Sequence, residues 1–435
     1  MLKRKILGQL EEWTLHKRKK CLVLQGARQT GKTYAVEHFA EEKYDELLEI
    51  NFKQTPSLKE VFEGDLTVEK MVLALRFRFP EKKILPGKTL IFLDEIQECE
   101  EAITSLKFWA LDDQYDVIAS GSLLGIDYKR ASSYPVGYVD YITLYGLDFE
   151  EFLWGMGIAD DLIESLRGYL RDKKEIPKAV HTQMMDYFRL YVATGGMPEV
   201  VQIYMDTKDF REVDRVQKSL LQGYQYDIAH YAAADEKVKA EKCYLTLSRQ
   251  LLDKENHKFQ YKEIEQGARA QKYFASIEWL LRADMVHLCK LVTSLQYDLA
   301  DYAREDFFRA YTTDLSLLIA MRDFSLKQYI VENTLTGNTK GGLYECAVAD
   351  ALIKKGYDLY FYKNETQKKE LDFLIQRDGQ VILVEVKSGN TKATSLSRTM
   401  IKEKQIPYAY KFVDGNIGES EAGILTLPLY MVAFI

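Results

Sequence analysis

Over the first 125 residues, short apolar runs alternate with charged stretches of helical period. The runs are CLVLQ at 21–25, ELLEINF at 46–52, TLIFLDE at 89–95 and DVIASGS at 116–122. Strands of this kind, spaced by amphipathic helices, predict a parallel sheet covered on both faces. From 126 to 150 the chain turns aromatic and extended (SSYPVGYVDYITLYGLDF), which reads as a connector. Residues 151–330 are mainly of helical period, broken at Gly195–Val201 by GGMPEVV, a helix-ending turn. Within that stretch, 257–292 reads as helix, turn, helix and strand, a winged-helix-like order set in about 240–295. After Gly341 and Gly342 the pattern becomes helix, three strands, helix and strand, a further α/β unit. The last residues, ILTLPLYMVAFI, read as closing strands of a buried sheet. The expected fold is therefore multidomain α/β. It comprises a P-loop-type parallel sheet over 1–150, a helical and winged-helix-like middle over 151–330, and an α/β C-terminal domain over 331–435.

Composition narrows the class without changing this outline. Apolar residues make up 47% and charged residues 29%, which suits packed globular domains rather than disorder. A net charge of −7 excludes a generally basic protein that coats nucleic acid, leaving only a local basic groove open. The five cysteines contain no CxxC pair, so neither a zinc site nor a disulfide framework is expected. No apolar stretch is long enough to cross a membrane, and the start has no apolar core of signal-peptide length. A cytoplasmic location is expected. The basic run Lys17-Arg18-Lys19-Lys20 reads as a solvated face.

Chemistry concentrates at two places. Gly26-Ala27-Arg28-Gln29-Thr30-Gly31-Lys32-Thr33 fits G-x-x-x-x-G-K-[ST], between a predicted strand and a predicted helix. In such a loop, glycines let backbone N–H groups close around phosphate, and the helix N-terminus adds positive potential. Lys32 then meets the terminal phosphates of ATP, and the Thr33 hydroxyl is a ligand for Mg²⁺. TLIFLDE brings Asp94 and Glu95 to the carboxyl end of a buried strand. There Asp94 would hold Mg²⁺ and Glu95 would orient and deprotonate water. Ser120 and Ser122 close the next strand, where either could approach the γ-phosphate.

These segments resemble the AAA+-like branch of P-loop ATPases. The order GARQTGKT, LIFLDEIQE, VIASGS, PVGYVDYITLYGLDFEEFL, GGMPEVV, GLYECAVADALIKKG, ELDFLI and VEVKSG is similar to a large prokaryotic family. That family joins such an ATPase to a C-terminal domain of unassigned function. The resemblance implies ATP and Mg²⁺ as ligands, hydrolysis as the activity and an oligomer as a candidate assembly. Members commonly carry Arg or Lys after the connector glycine, where this chain has Tyr138. Arg130 is the nearby substitute.

The second constellation is Glu345 on a helix, Asp372 at the start of a strand, and Glu385 with Lys387 on the next. Strand alternation sets Glu385 and Lys387 on one face. Carboxylates so grouped suit a divalent metal that generates hydroxide. This order resembles the PD-(D/E)XK nuclease fold, which implies Asp372 and Glu385 as metal ligands with Glu345 and Lys387 nearby. Three functions follow: an ATPase switch, with DNA contacted through the middle and C-terminal domains as a candidate partner; an ATP-regulated metal-dependent nuclease; and a nucleotide-bound interaction protein with an unknown protein partner.

Overall fold

Alternation along the first strands explains the sheet they build. In the computed structural model, which describes residues 2–16, 20–121, 135–252, 258–364, 369–389, 394–419 and 423–435, β1 (Cys21–Gln25), β2 (Glu46–Asn51), β3 (Thr89–Asp94), β4 (Asp116–Ser120) and β5 (Val139–Thr143) form one sheet in the order β2-β3-β4-β1-β5. Every pairing in it is parallel. Cys21, Val23, Ile91 and Leu93 point to one face and pack with Met71 and Leu75 of α3 (Val68–Arg78) and Leu106 and Trp109 of α4 (Glu100–Asp112). Leu22, Leu24, Leu90 and Phe92 point to the other, against Leu10 and Trp13 of α1 (Ile6–Thr14) and Val36 and Phe39 of α2 (Lys32–Lys43). A strand buried on both faces has no polar side to show, which is why these runs are continuously apolar.

This sheet belongs to a compact unit of Arg4–Tyr145 together with Arg282–Asp284. The stretch expected to be only a connector contributes its edge strand. Leu24 pairs with Ile142 and Gln25 with Thr143, so 139–143 is extended because β1 offers it a ladder.

The second compact unit contains Gly146–Leu281 and Met285–Ile435. Its helices are α5 (Phe149–Gly155), α6 (Asp160–Asp172), α7 (Lys178–Thr194), α8 (Pro198–Thr207), α9 (Phe210–Tyr231), α10 (Lys237–Leu251), α11 (Ala270–Arg282, whose last residue falls by contact in the first unit), α12 (Leu315–Ala320), α13 (Ser325–Val331), α14 (Gly337–Lys354) and α15 (Thr394–Lys402). Its strands are β6 (Val286–Val292), β7 (Ala303–Thr312), β8 (Leu359–Asn364), β9 (Lys369–Arg377), β10 (Gln380–Lys387), β11 (Ala409–Val413), β12 (Gly418–Glu419) and β13 (Ile424–Pro428). They form a mixed sheet in the order β12-β13-β11-β10-β9-β8-β6-β7. Gly195 ends α7 at φ 73°, and a Cβ there would lie 2.1 Å from the Ser316 nitrogen, so the turn at GGMPEVV requires glycine. No helix among the described residues is long and apolar enough to cross a membrane.

Three expectations are corrected here. The helix expected over 257–268 does not form in its described part, which holds only a 3₁₀ turn at Tyr261–Glu263. The Phe259 N–H donates to the Phe308 carbonyl at 2.7 Å, so this backbone is drawn to β7 instead of bonding within a helix. The strand after α11 is not the wing of a separate module, because β6 pairs with both β7 and β8 inside the mixed sheet. That sheet therefore begins well before residue 331. At the C-terminus the strand stops at Pro428, and Leu429–Phe434 form a 3₁₀ helix, since proline has no N–H to extend the ladder.

A buried ion cluster ties this second unit together. Lys354 of α14 donates to Asp314 at 2.7 Å, and lies 2.9 Å from Asp350. It also donates to the Leu147 carbonyl and the Tyr191 hydroxyl. Asp314 in turn accepts the N–H groups of Gly196 and Ser316 at 2.9 and 2.7 Å. Removing one partner of a buried pair leaves the other charge uncompensated. Asp314→Ala is expected to lower stability by about 3–5 kcal/mol. Lys88→Ala, which breaks the exposed pair with Asp45, should cost less than about 1 kcal/mol. Urea denaturation of the two variants measures both.

Candidate functional site

The loop after β1 is shaped by two residues that only glycine can replace. Gly26 has φ 142°, and a Cβ on it would lie 2.2 Å from the Leu144 carbonyl oxygen at the end of β5. Gly31 has φ 89° and caps α2 in the left-handed region. Thr30 closes the loop internally, its hydroxyl donating to the Ala27 carbonyl at 3.0 Å. From α1's approach, Arg4 donates to the carbonyls of Thr30 and Tyr145 at 3.1 and 2.7 Å. The Lys32 ammonium donates to the Gly26 and Ala27 carbonyls at 2.9 and 2.8 Å. Burial pulls that ammonium below its usual range, while the carboxylates of Glu95, Asp284 and Asp94 hold it up. Arg28 and Gln29 form the crown of the loop, Gln29 with φ 65°.

Asp94 gathers the neighbouring elements. Its Oδ2 accepts from the Thr33 hydroxyl at 3.2 Å and from the Asn51 amide at 2.9 Å. Its Oδ1 accepts from the Glu95 N–H at 3.0 Å and from the Ser120 hydroxyl. Parallel pairing explains the meeting: Asn51 lies directly beside Asp94 in register, and β4 ends on the other side. Glu95 follows in the left-handed region at φ 52°, with its carboxylate accepting from Gln97. A hydroxyl and a carboxylate within hydrogen-bond reach, both at the loop mouth, are the hard-oxygen donor set that Mg²⁺ prefers. The glycine cradle and Lys32 fit a phosphate chain beside them.

Of the residues marked from sequence, Gly26 to Thr33, Asp94 and Glu95 therefore come together. Ser120 also reaches Asp94, whereas Ser122 and Arg130 lie outside the described residues. Tyr138 sits elsewhere. Its carbonyl accepts the Cys21 N–H at 3.2 Å, at the amino end of β1. The strand rise over Cys21–Gln25 puts that end roughly 16 Å from the P-loop. A basic side chain there could not act on this chain's own phosphates.

Three residues of the site had no individual mark in the sequence. Asn51 had a usable signal, because a polar residue ends the strand beside TLIFLD. Gln97 had none. Neither did Asp284, which by its contacts belongs to the P-loop unit although it follows α11. Asp284 is buried with φ 55°, and burial pushes its carboxyl up to about 7 against the pull of Lys32 and of the Ala27 N–H that it accepts.

The C-terminal constellation forms differently from expectation. The β9–β10 pairing reaches Val384 with Phe373, which sets Asp372 and Glu385 at the next positions of adjacent strands. Lys387 pairs with Glu385, as alternation requires, and Asp372 accepts the Val386 N–H at 2.8 Å. Burial works against the Lys387 ammonium, yet Asp372, Glu385 and Glu345 hold it above its usual range. Glu345 is taken up by Arg309 of β7 at 2.6 Å and by the Tyr311 hydroxyl at 3.1 Å. Arg309 also donates to Glu370 at 2.8 Å. Among the described residues no group of three or more His, Cys, Asp or Glu is arranged to hold a metal ion. Asp372, Glu385 and Lys387 thus lie together at the expected place on adjacent strands, with the cations Arg309 and Lys387 standing among the carboxylates.

The central parallel sheet, the glycine loop and the acidic strand end define a P-loop nucleotide-binding domain. Residues 18–153 match a family described as an AAA domain, in keeping with that P-loop fold. Residues 185–328 and 340–430 match two families described as domains of unknown function, DUF8612 and DUF4143. None of the curated proteins compared with this chain matches it. Among solved structures, the chain is similar to the Orc1 protein of Aeropyrum pernix in complex with DNA, at 12% identity and TM-score 0.28, covering 76% of this chain and 93% of that one. It is similar to AMPPCP-bound DnaA from Aquifex aeolicus, at 13% identity and TM-score 0.29, covering 64% and 86%. It is also similar to PCH-2 of C. elegans, at 19% identity and TM-score 0.23, covering 41% and 48%. All three scores are low, and none of these likenesses bears on what the chain does.

Each oxygen of Asp94 accepts from one hydroxyl and one N–H, so an amide in either orientation would set its NH₂ against an N–H donor. Asp94→Asn is expected to destabilise the P-loop unit by about 1–3 kcal/mol. Glu95→Gln, at a half-buried position with one amide partner, should change stability by less than about 0.5 kcal/mol. Thermal melts of both variants without nucleotide check the contrast.

Proposed function

We propose that the P-loop unit binds ATP as its Mg²⁺ complex and hydrolyses it, the chain working as a nucleotide-driven switch. The observation that carries this reading is the convergence of Thr33, Asn51, Ser120 and the glycine loop on Asp94. In this reading, Lys32 exchanges the Gly26 and Ala27 carbonyls for β- and γ-phosphate oxygens. Thr33 and Asp94 are the residues that would hold Mg²⁺, which supplies charge neutralisation at the phosphates when bound. Glu95, directly beyond Asp94, orients a water toward the γ-phosphorus and takes its proton. The new P–O bond forms as the bond to ADP breaks, and ADP leaves with the bonding electrons. Ser120 fixes Asp94, and Gln97 fixes the Glu95 carboxylate.

A stimulating arginine is worth roughly 10³–10⁵-fold in phosphoryl transfer. Position 138 carries tyrosine and lies too far from the loop to serve it, so turnover by the isolated chain is expected to be slow, and any finger must come from another residue or another molecule. DNA and a protein partner enter this reading as candidate stimulators.

The test separates binding from turnover. Lys32 acts on the ground state, whereas Glu95 acts only during reaction. Lys32→Ala should abolish ATP binding in calorimetry. Glu95→Gln should bind ATP with Mg²⁺ as the wild type does, and release no phosphate with or without DNA. Equal loss of binding in the two variants would assign Glu95 a structural role. Tight nucleotide that the wild type never hydrolyses would favour a non-catalytic interaction protein instead.

A further inference from the structure

Lys32 is pressed by three carboxylates, and one of them has no place in the reaction. Glu95 and Asp94 belong to the hydrolytic site, but Asp284 arrives from a distant part of the sequence. Residues Arg282–Asp284 belong by contact to the P-loop unit. The Asp284 carboxylate accepts the backbone N–H of Ala27, inside the loop, and its charge reaches the Lys32 ammonium, whose own hydrogen bonds go to the Gly26 and Ala27 carbonyls. It is buried, with 7% exposure, so little water screens it. Its left-handed backbone is a conformation that Asp and Asn tolerate better than other non-glycine residues. An N–H of the loop and the loop lysine are the partners that a phosphate oxygen takes in a P-loop.

We propose that Asp284 is an internal anion on the P-loop, which competes with nucleotide phosphates for Lys32 and the loop and so sets how tightly they bind. This rests on nucleotide binding at the P-loop, as proposed above. A polyphosphate that settles beside Lys32 brings negative charge against a buried carboxylate already there. Like charges in low dielectric repel strongly, so the carboxylate must withdraw or the ligand binds more weakly. Asp284 and its segment therefore change position or lose affinity for the loop when phosphate enters. The residue acts on binding and not on the chemical step.

The full-length chain tests this with Asp284→Asn, which keeps the left-handed backbone and an acceptor for the Ala27 N–H while deleting the charge. Calorimetry is run at about pH 8, where an acid with the elevated value given above is ionised. The variant is expected to bind ATP, ADP and pyrophosphate tighter than wild type, on the order of tenfold. Asp284→Gly, also compatible with a positive φ, provides the same readout if the Asn variant folds poorly. Unchanged or weaker binding of pyrophosphate in a folded variant, with the wild type binding ATP normally, would overturn this inference alone. No nucleotide binding by wild type or variant would overturn the proposed function and this inference with it.

Discussion

The buried carboxylate of Asp94 is the constraint on which the P-loop unit depends. Four donors from four places converge on its two oxygens: a helix start, a neighbouring strand end, another strand end and the next peptide. Four hydrogen bonds fill the acceptor capacity of a carboxylate, and no uncharged side chain offers it without a donor of its own. The parallel register makes this possible, because it aligns the carboxyl ends of β2, β3 and β4 along one edge. The glycine loop after β1 opens at the same edge, which is where sheets of this kind take their ligands.

Charge is handled differently in the second unit. There acids are paired with cations of the chain itself: the buried Arg309 with Glu345 and Glu370, the half-buried Lys387 with Glu385, and the buried Lys354 with Asp314 and Asp350. Such pairs hold strands and helices in one arrangement, and breaking one is costly. They also change the meaning of an E-x-K strand. Arg309 and Lys387 offset part of the charge that Glu345, Glu370, Asp372 and Glu385 bring together there.

The P-loop unit was largely legible in advance. Two-sided burial makes each strand a continuous apolar run, and the loop motif follows from local backbone needs at Gly26 and Gly31. The C-terminal helix and strands were legible for similar reasons. The winged-helix-like order failed at 257–268 because Phe259 found its backbone partner in Phe308, far along the chain. The connector hid β5 because VDYIT alternates weakly, and only the ladder with β1 makes it a strand.

By itself, then, the sequence determined the local chemistry: a glycine loop that can close on phosphate, a lysine and threonine after it, and two acids at a strand end. Each depends on residues close in the chain, whose spacing sets their geometry. Tertiary structure alone decided that Asn51 and Ser120 bind Asp94, that Arg309 enters the Glu345 cluster, and that Asp284 reaches Ala27. Those meetings join residues between 26 and 257 positions apart. No local period encodes them, because sheet register and chain folding bring such side chains together only after the core has formed.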